Sequence, residues 1–144
     1  MAQKDKEPRI LNFQEFKSEY LEGTKNQTLI LNFWATWCKP CVAELPHFEA
    51  LNAKLDPKKE KLVLVSLDFT QDVKRKLIPF LNKHKLQADV IVLDPYEVKD
   101  WVDQIDPSWS GVIPATLVFC PNSRKFIEKN FETEQELLLF VNCK

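Results

Sequence analysis

Two cysteines stand three positions apart in Trp37-Cys38-Lys39-Pro40-Cys41. Thiols at that spacing, at a strand-to-helix junction, can close a small disulfide ring. Unpaired amide N–H groups and the helix dipole favour a thiolate on the first cysteine and lower its pKa. A thiolate is the nucleophile of disulfide exchange. Cys38 is therefore the attacking residue. Cys41, one turn further in, is the resolving residue, which attacks the mixed disulfide and releases the product. Lys39 adds positive charge beside the pair. Pro40 suits the first helical turn, where a missing N–H is harmless.

The competing reading is half of a metal site. A tetrahedral site needs a second ligand pair at short spacing. Cys120 and Cys143 are far apart in the sequence, and so are His47 and His84. Redox chemistry is favoured and no metal is expected. Cys120, ending an apolar strand, reads as an inert buried thiol. A bridge from Cys120 to Cys143 is the minority reading, because it requires a Cα separation that spacing does not reveal.

Around these residues, Asn12 and Glu15 resemble a capping box before Phe13, Phe16 and Tyr20 at helical spacing, with Gly23 as the stop. Thr28 to Trp34 (TLILNFW) is apolar almost throughout and reads as a buried central strand. From Cys38 to Leu55 the period turns helical, with Pro46 expected to kink the helix. Lys61 to Leu67 is a second buried strand. Val73 to Leu81 suggests a helix interrupted by Pro79. Val90 to Leu93 is a short strand and Tyr96 to Ile105 a short helix. Ala115 to Cys120 and Arg124 to Lys129 form a hairpin, and Thr133 to Val141 closes the chain as a helix capped by Thr133 and Glu136. Strands alternating with helices imply a layered α/β fold, and the hairpin makes the sheet mixed.

Composition narrows the function classes. The chain has 144 residues and a formal net charge of -1, with 20 Lys+Arg against 21 Asp+Glu. That balance gives no electrostatic reason to expect nucleic acid or an anionic membrane as partner. The only glycines are Gly23 and Gly111, which excludes a dinucleotide fingerprint and a P-loop. No run of about 18 apolar residues occurs, so no membrane span is expected. No apolar export signal follows Met1, so the chain is either cytosolic or a mature domain without its signal. Residues 1–9 read as a polar, flexible tail.

Phe33 to Cys41 (FWATWCKPC) resembles the active-site stretch of the thioredoxin superfamily. The longer string from Asn32 to Glu49 (NFWATWCKPCVAELPHFE) resembles its TlpA/ResA-type thiol:disulfide oxidoreductase branch. Pro46 matches the helix-kinking proline of that family, and Gly111 to Thr116 (GVIPAT) resembles its cis-proline loop. The resemblance runs roughly from Leu11 to the C-terminus. It implies a thioredoxin-like three-layer α/β/α sandwich with a central mixed sheet. The whole of 1–144 would be one domain, with about 71–110 inserted relative to a minimal thioredoxin.

The resemblance also distributes roles. The Ile113–Pro114 bond is expected to be cis and packed on the disulfide, with the Ile113 backbone offered to a substrate peptide. Asn32 stands where cytosolic thioredoxins carry a buried Asp that takes the resolving cysteine's proton, and Asn does not ionise. The TlpA/ResA branch instead carries a Glu three positions after its second cysteine, here Glu44. At that spacing it lies on the Cys41 side of the helix, and a partly buried carboxylate with a raised pKa suits proton transfer. Trp37 and Trp109 are expected to rim the site and, with Ile113 and Pro114, to bind substrate. Trp34 reads equally as rim or core, and Trp101 as packing within the insertion. Cys38, Cys41 and Glu44 carry the chemistry, while Lys39, Pro40 and Pro46 shape the helix.

The implied function is reduction of protein disulfides, with cytochrome c apoprotein thiols as one substrate class of the branch. It needs no cofactor beyond the Cys38–Cys41 disulfide. It needs substrate protein disulfides or thiols and an upstream thiol electron donor, and it implies a monomer. The bacterial periplasm or cell envelope is the expected location, with the cytoplasm as the alternative. The competing functions are a disulfide-forming oxidase or isomerase on the same fold and a metallochaperone. Copper carriers of that last kind separate their cysteines by three residues, and here two intervene. A peroxiredoxin-type peroxidase is disfavoured, because Leu31 and Ala35 stand where Pro and Ser/Thr would precede Cys38.

Overall fold

The computed structural model describes residues 7–22 and 26–144. The expected stop at Gly23 and the first six residues of the expected tail lie outside that range.

The first element among the described residues is β1 (Arg9–Asn12), so of the expected tail Arg9 alone is corrected: it pairs with Ile91 across a parallel ladder. The strand is short and buries only Leu11, so it carries no alternation that spacing rules would detect. The Asn12 capping box is present in both directions and starts α1 (Phe13–Phe16), which widens into a π-turn over Lys17–Leu21.

Next come β2 (Thr28–Trp34), α2 (Lys39–Lys54) and β3 (Glu60–Ser66). A helical run then passes from a 3₁₀ turn (Thr70–Asp72) through a π-turn (Val73–Leu77) into α3 (Ile78–His84). Pro79 therefore does not interrupt the helix. It occupies the first turn of α3, where no N–H is needed, and the wider π-turn precedes it. Lys85, at φ 52°, ends the run in the left-handed region. Then follow β4 (Asp89–Asp94) and α4 (Trp101–Ile105), a single turn and a half where a helix from Tyr96 was expected. The chain ends with β5 (Ala115–Cys120), β6 (Ser123–Ile127) and α5 (Glu134–Val141). Thr133 caps α5 by accepting from the Glu136 N–H.

Among the described residues six strands form one mixed sheet in the order β1-β4-β3-β2-β5-β6. β2 lies at its centre, parallel to β3 and antiparallel to β5. Alternation along β2 separates two cores. Ile30 and Trp34 face α2, α3 and α5, packing with Leu45, Phe48, Leu77, Leu81 and Leu137. Leu29, Leu31 and Phe33 face α1 and α4, packing with Phe13, Phe16, Ile105 and Trp109. This is the expected three-layer α/β/α arrangement. Its consequence for chemistry is topological. The ends of β2, β3 and β4 and the start of β5 lie at the same edge of the sheet, and their loops meet there.

Candidate active site

Four residues carry the chain from β2 into α2. The turn Ala35–Cys38 is closed by the Cys38 N–H donating to the Ala35 carbonyl at 3.1 Å. Cys38 then takes the N-cap position in extended conformation, and its sulfur accepts the Cys41 N–H at 3.4 Å. The two cysteines form a disulfide, with Cα atoms 5.3 Å apart. Cys38 keeps 6 % exposure while Cys41 has none, so an incoming thiolate or disulfide has access to Cys38 alone. Lys39 and Pro40 are exposed in the first turn of α2. Pro46 is exposed inside α2, which continues as α-helix through it to Lys54.

The Ile113–Pro114 peptide bond is cis. The Ile113 carbonyl lies 3.8 Å from Cys38 Sγ. Gly111, at φ +95°, turns the chain into this loop, and a Cβ there would meet nothing nearer than Val102 at 3.8 Å. Glycine is demanded by conformation, not by space. Trp37, next to Cys38 in the chain, keeps 59 % exposure. Trp109 departs from its expected place at the rim. It is buried against Phe33, Trp101 and Phe126, and its Nε1–H donates to the Val112 carbonyl at 2.7 Å. Trp109 thus supports the cis-proline loop from below, because burying its ring and satisfying its single donor outweigh exposure. Trp34 belongs wholly to the core, against Phe80.

On the turn of α2 that follows Cys41, Glu44 joins Asn32 and Thr116 in a small buried polar cluster. Glu44 is 1 % exposed. One of its oxygens accepts the Phe131 N–H at 2.8 Å, and the other accepts from Asn32 Nδ2 at 3.0 Å. Asn32 Nδ2 also donates to Thr116 Oγ1 at 3.2 Å, across the β2–β5 ladder. Burial pushes the Glu44 pKa up to about 7, against the two hydrogen bonds that favour its anion. Such a carboxyl exchanges its proton near neutrality.

Two features were not singled out by spacing. One is Asp68, just past the end of β3, buried and bonded to Thr36. A lone acid closing an apolar strand (LVLVSLD) was the available signal. The other is a second disulfide, Cys120–Cys143, with Cα atoms 5.6 Å apart. It corrects the reading of Cys120 as an inert thiol. The end of α5 returns Cys143 to the end of β5, a proximity set by tertiary packing and invisible in the sequence. His47 is half-buried on α2, and His84 is exposed and stacked on Phe80 at 4.1 Å. Among the described residues no group of three or more His, Cys, Asp or Glu is placed to hold a metal.

Comparison with known proteins agrees with this geometry. The model of the AhpC/TSA family matches residues 4–124. The thiol-disulfide oxidoreductase ResA of Oceanobacillus iheyensis is 36% identical over 102 residues, 71% of this chain and 48% of that protein. The chain thus spans about half the length of the curated relatives it matches. A thioredoxin-related protein from Neisseria meningitidis superposes with TM-score 0.67 at 24% identity, over 84% of this chain and 87% of that one. StoA from Bacillus subtilis superposes with TM-score 0.56 at 24% identity, over 83% and 85%. At that identity the two structures establish the fold alone. The family match covers most of the chain, including the cysteine pair, the buried glutamate and the cis-proline loop, and the chain belongs to the AhpC/TSA family, with a thioredoxin-like fold.

Proposed function

We propose that the chain catalyses thiol–disulfide exchange, working in the direction that reduces disulfides of partner proteins. The observation that carries this reading is the Cys38–Cys41 disulfide at the N-terminus of α2, open at Cys38 and facing the Ile113 carbonyl. In the reduced enzyme the helix N-terminus favours the Cys38 thiolate. That thiolate attacks one sulfur of the target disulfide, and the other target sulfur leaves as a thiolate. Cys41 gives its proton to the Glu44 carboxylate and attacks Cys38 Sγ. The Cys38–Cys41 disulfide forms, and the second target sulfur leaves. The target gains two electrons and the enzyme loses two. An upstream thiol donor, not supplied by this chain, returns them.

Trp37, Ile113 and Pro114 form the surface that receives the target, and Trp109 holds that surface from below. The chain acts as one domain, with about 71–110 as an insertion, and as a monomer. A second disulfide, Cys120–Cys143, supports an oxidising location outside the bacterial cytoplasm.

The test is the reduction potential of the Cys38–Cys41 pair in graded glutathione and dithiothreitol buffers, with Cys120 and Cys143 excluded by site-resolved alkylation. A value near the thioredoxin reference of about −270 mV is expected. A value near about −120 mV reverses the direction and makes the chain an oxidase or isomerase. Failure to form the disulfide at any poise rejects the reading.

A further inference from the structure

Asp68 is 2 % exposed and has no ion-pair partner among the described residues. Its carboxylate is held by hydrogen-bond donors alone. The Thr36 hydroxyl donates to one oxygen at 2.6 Å and the Ser66 hydroxyl to the other at 2.6 Å. The Thr36 N–H lies 3.2 Å from each. The Asp68 N–H in turn donates to Ser66 Oγ at 3.0 Å, which fixes the carboxylate to the end of β3. Two of the three donor groups therefore belong to one residue, and that residue sits in the Ala35–Cys38 turn. The turn closes from Cys38 N–H to Ala35 carbonyl, so the Thr36 amide points out of it and is free for Asp68. An anion satisfied only by hydroxyls and an amide keeps its charge uncancelled in the interior.

We propose that Asp68 is a positioning residue of the redox centre, clamping the turn that presents Cys38 and, by its charge, biasing the cysteine pair toward the disulfide, so that its dithiol is the stronger reductant. The proposal rests on thiol–disulfide exchange at Cys38 and Cys41. The disulfide is neutral, whereas reduction places a thiolate on Cys38, two residues beyond the Thr36 that Asp68 grips. A like charge there disfavours the thiolate. A destabilised reduced form is a stronger reductant. Of the other charged groups, Lys39 is exposed in the first turn of α2 and Glu44 is buried further along it, while Tyr96 lies within electrostatic reach of both Asp68 and Asp94. Lys39 and the helix N-terminus pull the Cys38 pKa down, and Asp68 opposes them.

Three variants of the full chain separate charge from clamp. Asp68→Asn keeps an acceptor for Thr36 and removes the charge. Thr36→Val keeps the charge and removes the hydroxyl, and Thr36→Ser restores it. The first readout is the pH midpoint of iodoacetamide capture at Cys38, located by mass spectrometry, together with the equilibrium against glutathione. Asp68→Asn is expected to lower the midpoint by about one unit, the scale of a nearby like charge at an effective dielectric of about 20. It should also shift the glutathione equilibrium about tenfold toward the dithiol. Thr36→Ser is expected to match the parent chain in both. The second readout is hydrogen exchange at the Cys38 amide, expected to speed up at least roughly tenfold in Thr36→Val and to recover in Thr36→Ser.

A folded Asp68→Asn with unchanged midpoint and equilibrium overturns the proposal, and so does unchanged exchange in Thr36→Val. If Asp68→Asn does not fold, the exchange result in Thr36→Val decides. If the parent chain itself exchanges no disulfide, the underlying activity fails and not the role of Asp68.

Discussion

The amide N–H of Phe131 meets a carboxylate oxygen of Glu44 at 2.8 Å, although 87 residues separate them. Phe131 lies between β6 and α5, with its ring packed on Phe48 of α2 and Phe140 of α5. The C-terminal segment thereby covers the buried carboxyl of Glu44. It excludes water from Glu44 and raises its pKa, while it supplies the one backbone donor that keeps the carboxylate satisfied.

The burial of Glu44 predicts a pH dependence. Burial lifts the Glu44 pKa from the ordinary 4.5 to about 7. The folded chain then holds this proton more tightly than the unfolded chain. The stability contributed by Glu44 is fully present below pH 4.5 and is lost as the pH climbs through 7, by at most about 3 kcal/mol. Denaturant unfolding of the oxidised protein from about pH 4 to pH 8 is expected to show the decline. Glu44→Gln keeps an acceptor for Phe131 and should flatten the profile. A variant with the parent's slope would remove Glu44 as the titrating group.

The two cysteines should fail in different ways. Cys41→Ser leaves the accessible sulfur free, and it is expected to accumulate a mixed disulfide at Cys38 that mass spectrometry detects. Cys38→Ser should accumulate none, because the remaining thiol is fully buried. Equal trapping by both variants would reverse the assignment of attacking and resolving residues.

Trp109→Phe keeps the aromatic packing and loses one donor to the Val112 carbonyl. A loss of about 1 kcal/mol in denaturant unfolding is expected, the net worth of one hydrogen bond. An unchanged midpoint would mean that water replaces the indole there without cost.

Cys120→Ser/Cys143→Ser opens a cross-link spanning 23 residues. Loop-closure entropy sets the expected loss at about 3 kcal/mol. Insulin-reduction assays should find exchange activity retained at temperatures where the variant stays folded. Abolished activity in a folded variant would give this disulfide a part in the chemistry.

What the sequence made legible was local. TLILNFW declared β2 with both of its ends, because a central strand is apolar on both faces. Asn12, Thr133 and Cys38 announced helix starts through the groups that cap them. The resemblance singled out Cys38, Cys41, Glu44 and Pro114; in the structure the two cysteines are bonded, the Ile113 carbonyl before cis-Pro114 faces Cys38, and Glu44 is buried on α2. What escaped was long-range or energetically balanced. Arg9–Asn12 pairs only because β4 is nearby. Cys120 meets Cys143 only after α5 has docked. Trp109 chose burial over exposure for a single hydrogen bond. Asp68 acts through Thr36, a partner that no local spacing rule links to it.

The short strand β1 has a consequence for solution behaviour. It is the outermost strand beside β4, whose Ile91, Val92 and Leu93 are buried. Arg9 is anchored to Glu19 and Tyr20, which holds the strip in place. A chain trimmed past Asn12 would leave β4 as a bare margin of unpaired amides and carbonyls over an apolar surface. Such a margin recruits the same margin of another copy. β1 thus covers that edge of β4, and a trimmed chain should be limited by its solubility before its chemistry.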